Sequence, residues 1–376
     1  MSVQACVHKI LAQKRVSPVV PTSFGDWDLE ESGTTDALEL LKDPGVSLYC
    51  FDPMKETAVF VRCPADKDLT RAPFFFLAQY EHAQMVYTIP VDNLPELVEQ
   101  LPRVDESKFI LLFSIGRCGS TLMSKIFDAV PDVVSIPDPH FVFLNYFGYP
   151  KEKICKFLEL GTRLQCKQIG PRKGSFYAMK FPAPTTDFIS LYAEIFPRSR
   201  RLFLYRNAEA FFTSAVVAFG MLSNPMFQNM PPQYSEHSIL IADNYKEKLN
   251  TASCVDALAL QWQSMLLDVK DGIDRGDETL CYRYEELMAD TPAVVKRILD
   301  FCALPALSGE DMAAVLREDS QKGTSISKEA AAANREKNTP TAQHIERYKQ
   351  VLAMHSIVNS GDYLLPGTLV LPISTL

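Results

Sequence analysis

The pattern of apolar and polar positions changes character along the chain. Up to about Gly45 it is polar and punctuated by Pro and Gly. Four short apolar runs follow: VSLYCF at 46–51, TAVFVRC at 57–63, PFFFLAQY at 73–80 and AQMVYTI at 83–89. Runs of that length, separated by polar turn-like segments, predict strands of a small antiparallel sheet. VDNLPELVEQL at 91–101 predicts a short helix capped by Asp92 or Asn93.

From Lys108 the texture differs. KFILLFS (108–114) predicts a buried strand, IGRCGS (115–120) a turn, and TLMSKIFDAV (121–130) a helix that stops at Pro131. Further strands are predicted at 133–136, 176–181, 201–205 and 279–284, with helices near 185–196, 207–219 and 291–303. Strands alternating with helices imply crossovers, hence an α/β fold with a largely parallel sheet flanked by helices. Ligands in such sheets bind beyond the carboxyl ends of the strands. The polar, small-residue stretch 320–340 predicts a mobile loop whose alanine run adds a helical turn, and 341–357 predicts a late helix. The chain therefore reads as an N-terminal α+β region, 1–105, with no chemistry motif and a scaffold role, followed by a second domain, 106–376.

Composition narrows the classes. With 376 residues, 47% apolar and 22% charged, the chain is an ordinary globular protein. Its net charge of −8 argues against a dedicated nucleic-acid binder. Nine cysteines, an odd number with no CxxC pair, suggest neither a disulfide framework nor a zinc site and fit a reducing compartment. The N-terminus lacks the apolar core of a signal peptide, and no run of about 18 apolar residues predicts a membrane span. A cytoplasmic location is the expectation. A homodimer stays open.

The sharpest chemical feature is SIGRCGSTL at 114–122, between a strand and a helix. Successive backbone N–H groups in such a turn converge into an anion nest, and the helix adds its positive dipole end. Gly116 and Gly119 permit the turn, Ser120 and Thr121 supply hydroxyls, and Arg117 supplies a full charge. The loop is not a Walker A motif, whose Lys and spacing are absent. Nor is it a phosphatase Cys loop, since position 124 is Ser. Cys118 is either a reactive thiol beside Arg117 or a small filler. On its own, the whole stretch reads equally well as a capped strand-to-helix turn. A second feature is RLFLYRNAEAFFTSAV at 201–216, where Arg206 closes a strand and Ser214 lies two helical turns on. Arg206 suits bidentate phosphate binding.

Together and in this order, the two stretches resemble the phosphate-binding segments of sulfotransferases that use 3′-phosphoadenosine 5′-phosphosulfate (PAPS). The first resembles their GRSGST variety of 5′-phosphosulfate loop. Arg117 falls where soluble aryl and steroid enzymes carry Lys, and Leu122 where they carry an adenine-stacking aromatic. CYRYEELMADTPAVVKRILDFCALP (281–305) is similar to a Tyr-Glu-Asp segment in which the matching Tyr, here Tyr284, approaches the adenine. Gln321-Lys322-Gly323 falls at their Arg-Lys-Gly, which grips the 3′-phosphate; Gln replaces the Arg, while Lys322 and Gly323 remain. NREKNTPTAQHIERY (334–348) is a distant echo of their C-terminal segment. The resemblance covers about 108–348. It implies a P-loop NTPase-like sulfotransferase fold and a nucleotide site built from Gly116, Arg117, Cys118, Gly119, Ser120, Thr121, Leu122, Arg206, Ser214, Tyr284, Lys322 and Gly323.

The implied reaction moves a sulfuryl group from PAPS to a hydroxyl or amine of a small or medium-sized acceptor, releasing adenosine 3′,5′-bisphosphate without a metal. Arg117 would stabilise charge on the leaving phosphate. The Lys-Thr-His-x-Pro stretch of the soluble enzymes corresponds to Lys180-Phe181-Pro182, so Lys180 is kept and the His is missing. Lys180 also reads as a strand-end surface residue. The acceptor's base is then sought in IPDPHF at 136–141, where the glycan-type enzymes carry a Glu. His140 and Asp138 are both candidates, with Asp138 alternatively orienting His140. The expected partners are a nucleotide and a small-molecule acceptor, with 221–232 as a loop near the acceptor entrance. The competing readings are a P-loop kinase or nucleotidase, and a nucleotide-binding pseudoenzyme of the same fold.

Overall fold

The computed structural model describes residues 2–15, 20–52, 54–144, 149–224, 244, 247–249 and 253–370. The chain divides into two compact units. One comprises Met1–Ile110, Pro131–Phe181 and Ile195–Ser199; the other comprises Leu111–Val130, Pro182–Glu194 and Arg200–Leu376.

The first unit contains a five-stranded antiparallel sheet of β1 (Gln4–Gln13), β2 (Trp27–Asp36), β3 (Val46–Asp52), β4 (Thr57–Arg62) and β5 (Met85–Pro90), in the order β2-β1-β5-β4-β3. Three of the four predicted apolar runs become β3, β4 and β5. The fourth, 73–80, does not: it forms helix α2 (Phe75–His82), after α1 (Ala37–Lys42). Phe75, Phe76, Gln79 and Tyr80 are buried while Leu77 between them is half-buried. That is a helical repeat, which a short unbroken apolar run does not reveal. The segment before Gly45, for which the pattern predicted no element, supplies β1 and β2. Half of β2 is exposed and only Trp27 is buried, so it lacks the alternation that marks a half-buried strand.

Buried polar groups fix the β3 edge. A register shift lies between Leu48 and Cys50, and the Leu48 carbonyl accepts from the side-chain amides of Gln79 (2.9 Å) and Gln165 (2.8 Å). Gln79 also donates to Ser47 Oγ at 2.7 Å. These bonds cover part of the edge, while the amide oxygens of Gln79 and Gln165 are buried without a partner. Nearby, buried Asp26 accepts from Arg15 (2.8 Å) and from the Tyr49 hydroxyl (2.6 Å), which burial and the adjacent carboxylate hold far above the ordinary tyrosine range.

The second sheet has the order β10-β9-β6-β8-β7, with β6 (Phe109–Ser114), β7 (Val133–Pro137), β8 (Phe176–Lys180), β9 (Arg200–Tyr205) and β10 (Thr279–Arg283). The pairs β9–β10 and β7–β8 are parallel. Every residue of β6 and β7 is buried, as expected for parallel strands covered on both faces. The helices among the described residues are α3 (Leu94–Glu99), α4 (Ser120–Ala129), α5 (Lys151–Gln165), α6 (Ile189–Ile195), α7 (Ala208–Phe219), α8 (Cys254–Asp274), α9 (Tyr284–Ala289), α10 (Thr291–Phe301), α11 (Gly309–Arg317), α12 (Lys328–Asn338) and α13 (Ala342–Leu352). The α/β class with a parallel sheet and an additional antiparallel sheet is as expected. Within 320–340 the expected loop is largely helix: Ser327 caps α12 by accepting from the Ala330 N–H, and the alanine run continues it. No helix among the described residues is long and apolar enough to cross a membrane.

Gly161 in α5 is constrained by packing. A Cβ there would lie 2.2–2.9 Å from three ring carbons of Phe141, which is itself buried. Helix propensity favours alanine over glycine by about 1 kcal/mol, but overpacking costs about 1–3 kcal/mol. Gly161→Ala should therefore lower the melting temperature by several degrees in a thermal-denaturation scan. An unchanged or higher value would show that Phe141 has room to move.

Candidate functional site

The sequence-predicted loop lies between β6 and α4. Gly116 (φ +80°), Arg117 (φ +53°) and Gly119 (φ +89°) all occupy the left-handed region. A Cβ on Gly119 would meet the Tyr284 ring at 3.1 Å, so both its conformation and its surroundings call for glycine. Arg117 pays a conformational cost of about 1–3 kcal/mol for its non-glycine left-handed backbone. The loop is pinned to β9: the Leu204 carbonyl accepts from the Ile115 N–H and from the Cys118 thiol, each at 3.3 Å. Cys118 is fully buried, which makes it a filler that ties the turn down.

Arg206 stands at the end of β9. The Trp262 indole N–H donates to its carbonyl at 3.0 Å. Its Nη1 donates to the carbonyl of Arg117 at 2.8 Å, and its guanidinium lies 4.5 Å from the centroid of the Tyr284 ring. Its Nε is buried and has no partner. Asn207 then starts α7, its side chain accepting from the Ala210 N–H at 3.1 Å, and α7 carries Ser214. The Arg117 side chain spans the space between, with Nε 3.4 Å from Ser214 Oγ and Nη1 donating to Gln321 Oε1 at 2.9 Å. Burial, and behind it the charge of Arg206, pulls the Arg117 guanidinium down from its ordinary value. Two cations held this close with an unused donor make an anion the natural occupant.

A cavity of about 1150 Å³ opens on these groups. Of the sequence-predicted nucleotide residues, Arg117, Gly119, Ser120, Thr121, Leu122, Arg206, Ser214 and Tyr284 line it. Gly116 and Cys118 shape the loop without being among the lining residues. Lys322 and Gly323 are exposed and also outside the lining. Gln321, singled out only as a departure from Arg, is the member of that trio that reaches the loop: besides Arg117, its amide nitrogen lies 3.4 Å from Thr121 Oγ1. Its adjacency to a Lys-Gly pair was the available signal. Of the carboxylates in the lining, Glu209 pairs with Lys349 at 3.0 Å, Glu318 lies 4.0 Å from Lys125, and Asp319 accepts from the N–H groups of Gln321 and Lys328 while its charge also acts on Arg117. Of the stretch 221–232, residues 225–232 lie outside the described residues.

The remaining candidates belong to the other unit. Asp138 and Lys180 form a buried ion pair, and the Asp138 N–H donates to the Lys180 carbonyl at 2.7 Å. Asp138 has φ +54°. Burial raises its pKa, opposed by Lys180. Lys180 is thus a buried strand-end residue with a charged partner. His140 is buried, stacked on Phe76 with ring centroids 3.5 Å apart, and its Nδ1 has no partner. Burial, with the positive charges of Arg15 and Lys180, pushes its pKa well below the usual imidazole value. Burial thus disfavours the charged imidazolium.

Residues 107–350 match the sulfotransferase domain family. None of the curated proteins matches the chain. Solved structures similar to it include a mouse sulfotransferase complexed with PAP, 15% identical, with TM-score 0.35 over 72% of this chain and 90% of that one. A sulfotransferase from Mycobacterium avium is 12% identical, with TM-score 0.39 over 71% and 80%. A retinol dehydratase in complex with androsterone and inactive cofactor PAP is 13% identical, with TM-score 0.35 over 86% and 99%. The family match spans the anion loop, the Arg206–Ser214 segment and Tyr284 alike, and by it this chain belongs to the sulfotransferase family.

Proposed function

We propose that the protein transfers a sulfuryl group from PAPS to a hydroxyl or amine of a small or medium-sized acceptor and releases adenosine 3′,5′-bisphosphate, the chemistry residing in 106–376 and residues 1–105 serving as scaffold. The observation that carries this reading is the convergence of Arg117 and Arg206 on one cavity, joined by the bond from Arg206 to the Arg117 carbonyl. The residues fit a nucleotide with an anion at each end. At one end are the loop N–H groups, Arg117, Ser120 and Thr121; at the other are Arg206, with its unpartnered Nε, and Ser214. Tyr284 and Leu122 flank the space for the base. Lys322 and Gly323 stay in the proposal as outer residues of the 3′-phosphate end.

When bound, PAPS supplies the sulfuryl group and a phosphate leaving group. The chain's work is then alignment and charge stabilisation, which supply most of the catalysis in transfers of this type. Arg117 meets the charge that grows on the leaving phosphate oxygen. A base must take the acceptor's proton as the new bond to sulfur forms. Between the two candidates, burial favours Asp138: it makes that carboxylate a stronger base and the His140 imidazole a weaker one. In this reading Lys180 holds the Asp138 carboxylate through their buried ion pair, and His140 is a neighbour of that pair. The acceptor is a small molecule in this reading and the chain works in the cytoplasm.

Sulfated products should appear by mass spectrometry after incubation of the protein with labelled PAPS and a metabolite extract. Bisphosphate binding with no product from any extract would favour a pseudoenzyme instead. Arg206→Ala should weaken adenosine 3′,5′-bisphosphate binding about 10- to 100-fold by calorimetry, the loss of a charge-assisted phosphate contact. Unaltered affinity would remove Arg206 from the site.

Asp138→Asn should lower kcat at least about 100-fold while bisphosphate affinity holds. In the wild type, kcat should fall as pH drops through the Asp138 pKa, which burial places above the ordinary aspartate value. The sign follows from the role, since the base works only when ionised. An acidic limb that survives in Asp138→Asn would move the assignment to His140.

A further inference from the structure

The segment from Asp319 to Lys328 is a clip fastened by its own backbone. The Asp319 carboxylate accepts from the N–H groups of Gln321 (3.1 Å) and Lys328 (3.0 Å). The Gln321 carbonyl accepts from the N–H (3.1 Å) and the hydroxyl (2.8 Å) of Thr324. The backbone of Gln321 is thus fixed on both sides of its Cα, and its side chain faces the loop. There its Oε1 accepts from Arg117 Nη1 at 2.9 Å and its Nε2 lies 3.4 Å from Thr121 Oγ1. With Ser214 at Arg117 Nε, both hydrogen-bond partners of the guanidinium are neutral oxygens, and the Asp319 carboxylate, held by backbone N–H groups, acts on it only through its charge.

The neutrality matters. A carboxylate at the same distance would form a charge-assisted pair with Arg117 and consume the charge an anion needs. An arginine, which the family resemblance places at this position, would add a third cation. We propose that Gln321 is a positioning residue that aims Arg117 at the nucleotide's phosphate while leaving its charge unspent. This rests on the nucleotide reading above. It also accounts for the absence of Arg from the Gln-Lys-Gly trio: the half-buried Arg117, not residue 321, carries the cation at this wall of the cavity.

The near-isosteric variants Gln321→Glu and Gln321→Met separate charge from shape. Adenosine 3′,5′-bisphosphate is titrated calorimetrically into the full-length wild type and both variants, with melting temperatures as the fold control. Gln321→Glu should bind at least about fivefold more weakly than Gln321→Met. That deficit should shrink as pH is lowered into the carboxylate range, where a protonated glutamate is again neutral. A purely structural role predicts that the two variants bind alike at every pH. A difference below fivefold, with the wild type binding, overturns the role of Gln321 alone. A wild type that does not bind the bisphosphate overturns the nucleotide reading and this inference with it.

Discussion

One hydrogen bond ties the candidate site together, that from the Arg206 guanidinium to the carbonyl of Arg117. The carbonyl is free to accept it because Arg117 and its glycine neighbours lie in the left-handed region, which turns the loop's N–H and C=O groups to different sides. The bond links two pieces of chain far apart in sequence, and it draws one cation against the backbone of another. Such an arrangement gains little for the fold by itself. Left-handed backbone at a non-glycine residue, two crowded guanidiniums and an unpartnered Nε all carry a cost. The two electrostatic costs, the crowded charges and the unpartnered donor, are those an anion in the cavity would relieve; the backbone strain stays in the fold. Preorganisation of this kind is what catalysis by charge stabilisation requires.

The parts that were legible in the sequence share a physical cause. Strands of a parallel sheet are buried on both faces, so FILLF and LFLY read as unbroken apolar runs whatever surrounds them. The anion loop was legible because its glycines are needed by conformation, and Arg206 because it ends such a strand. What was hidden is equally coherent. The strands β1 and β2 face solvent with residues such as Glu30, Glu31 and Thr34, and only their pairing makes them strands. The helix over Phe75–His82 looked like a strand because five apolar or aromatic residues in a row fit either period; the buried amide of Gln79, bonded to Ser47 and Leu48, belongs to the tertiary structure and not to the local pattern.

The same distinction applies inside the site. Arg117 and Arg206, which local motifs single out, do line the cavity, while the contact of Gln321 with Arg117 joins positions with no local relation. Lys322, the charged member of the trio, is exposed and outside the cavity lining. The turn that Asp319 closes decides which side chain of the trio faces inward.

Burial acts in opposite directions on the two candidate bases, and this works against the preference for His140 that the sequence suggested. Both side chains are almost wholly removed from water. For a carboxylate the ionised form is the conjugate base, so desolvation raises its proton affinity, and the neighbouring Lys180 keeps enough ionised form available. For an imidazole the ionised form is the conjugate acid, so the same desolvation, reinforced by Arg15 and Lys180, lowers its proton affinity. A group that resists protonation is poorly suited to receive a proton from an acceptor hydroxyl, however well its unperturbed value matches neutral pH. The ordinary imidazole value favoured His140 from sequence; the surroundings favour the carboxylate two residues earlier, whose left-handed backbone and lysine partner hold it in place.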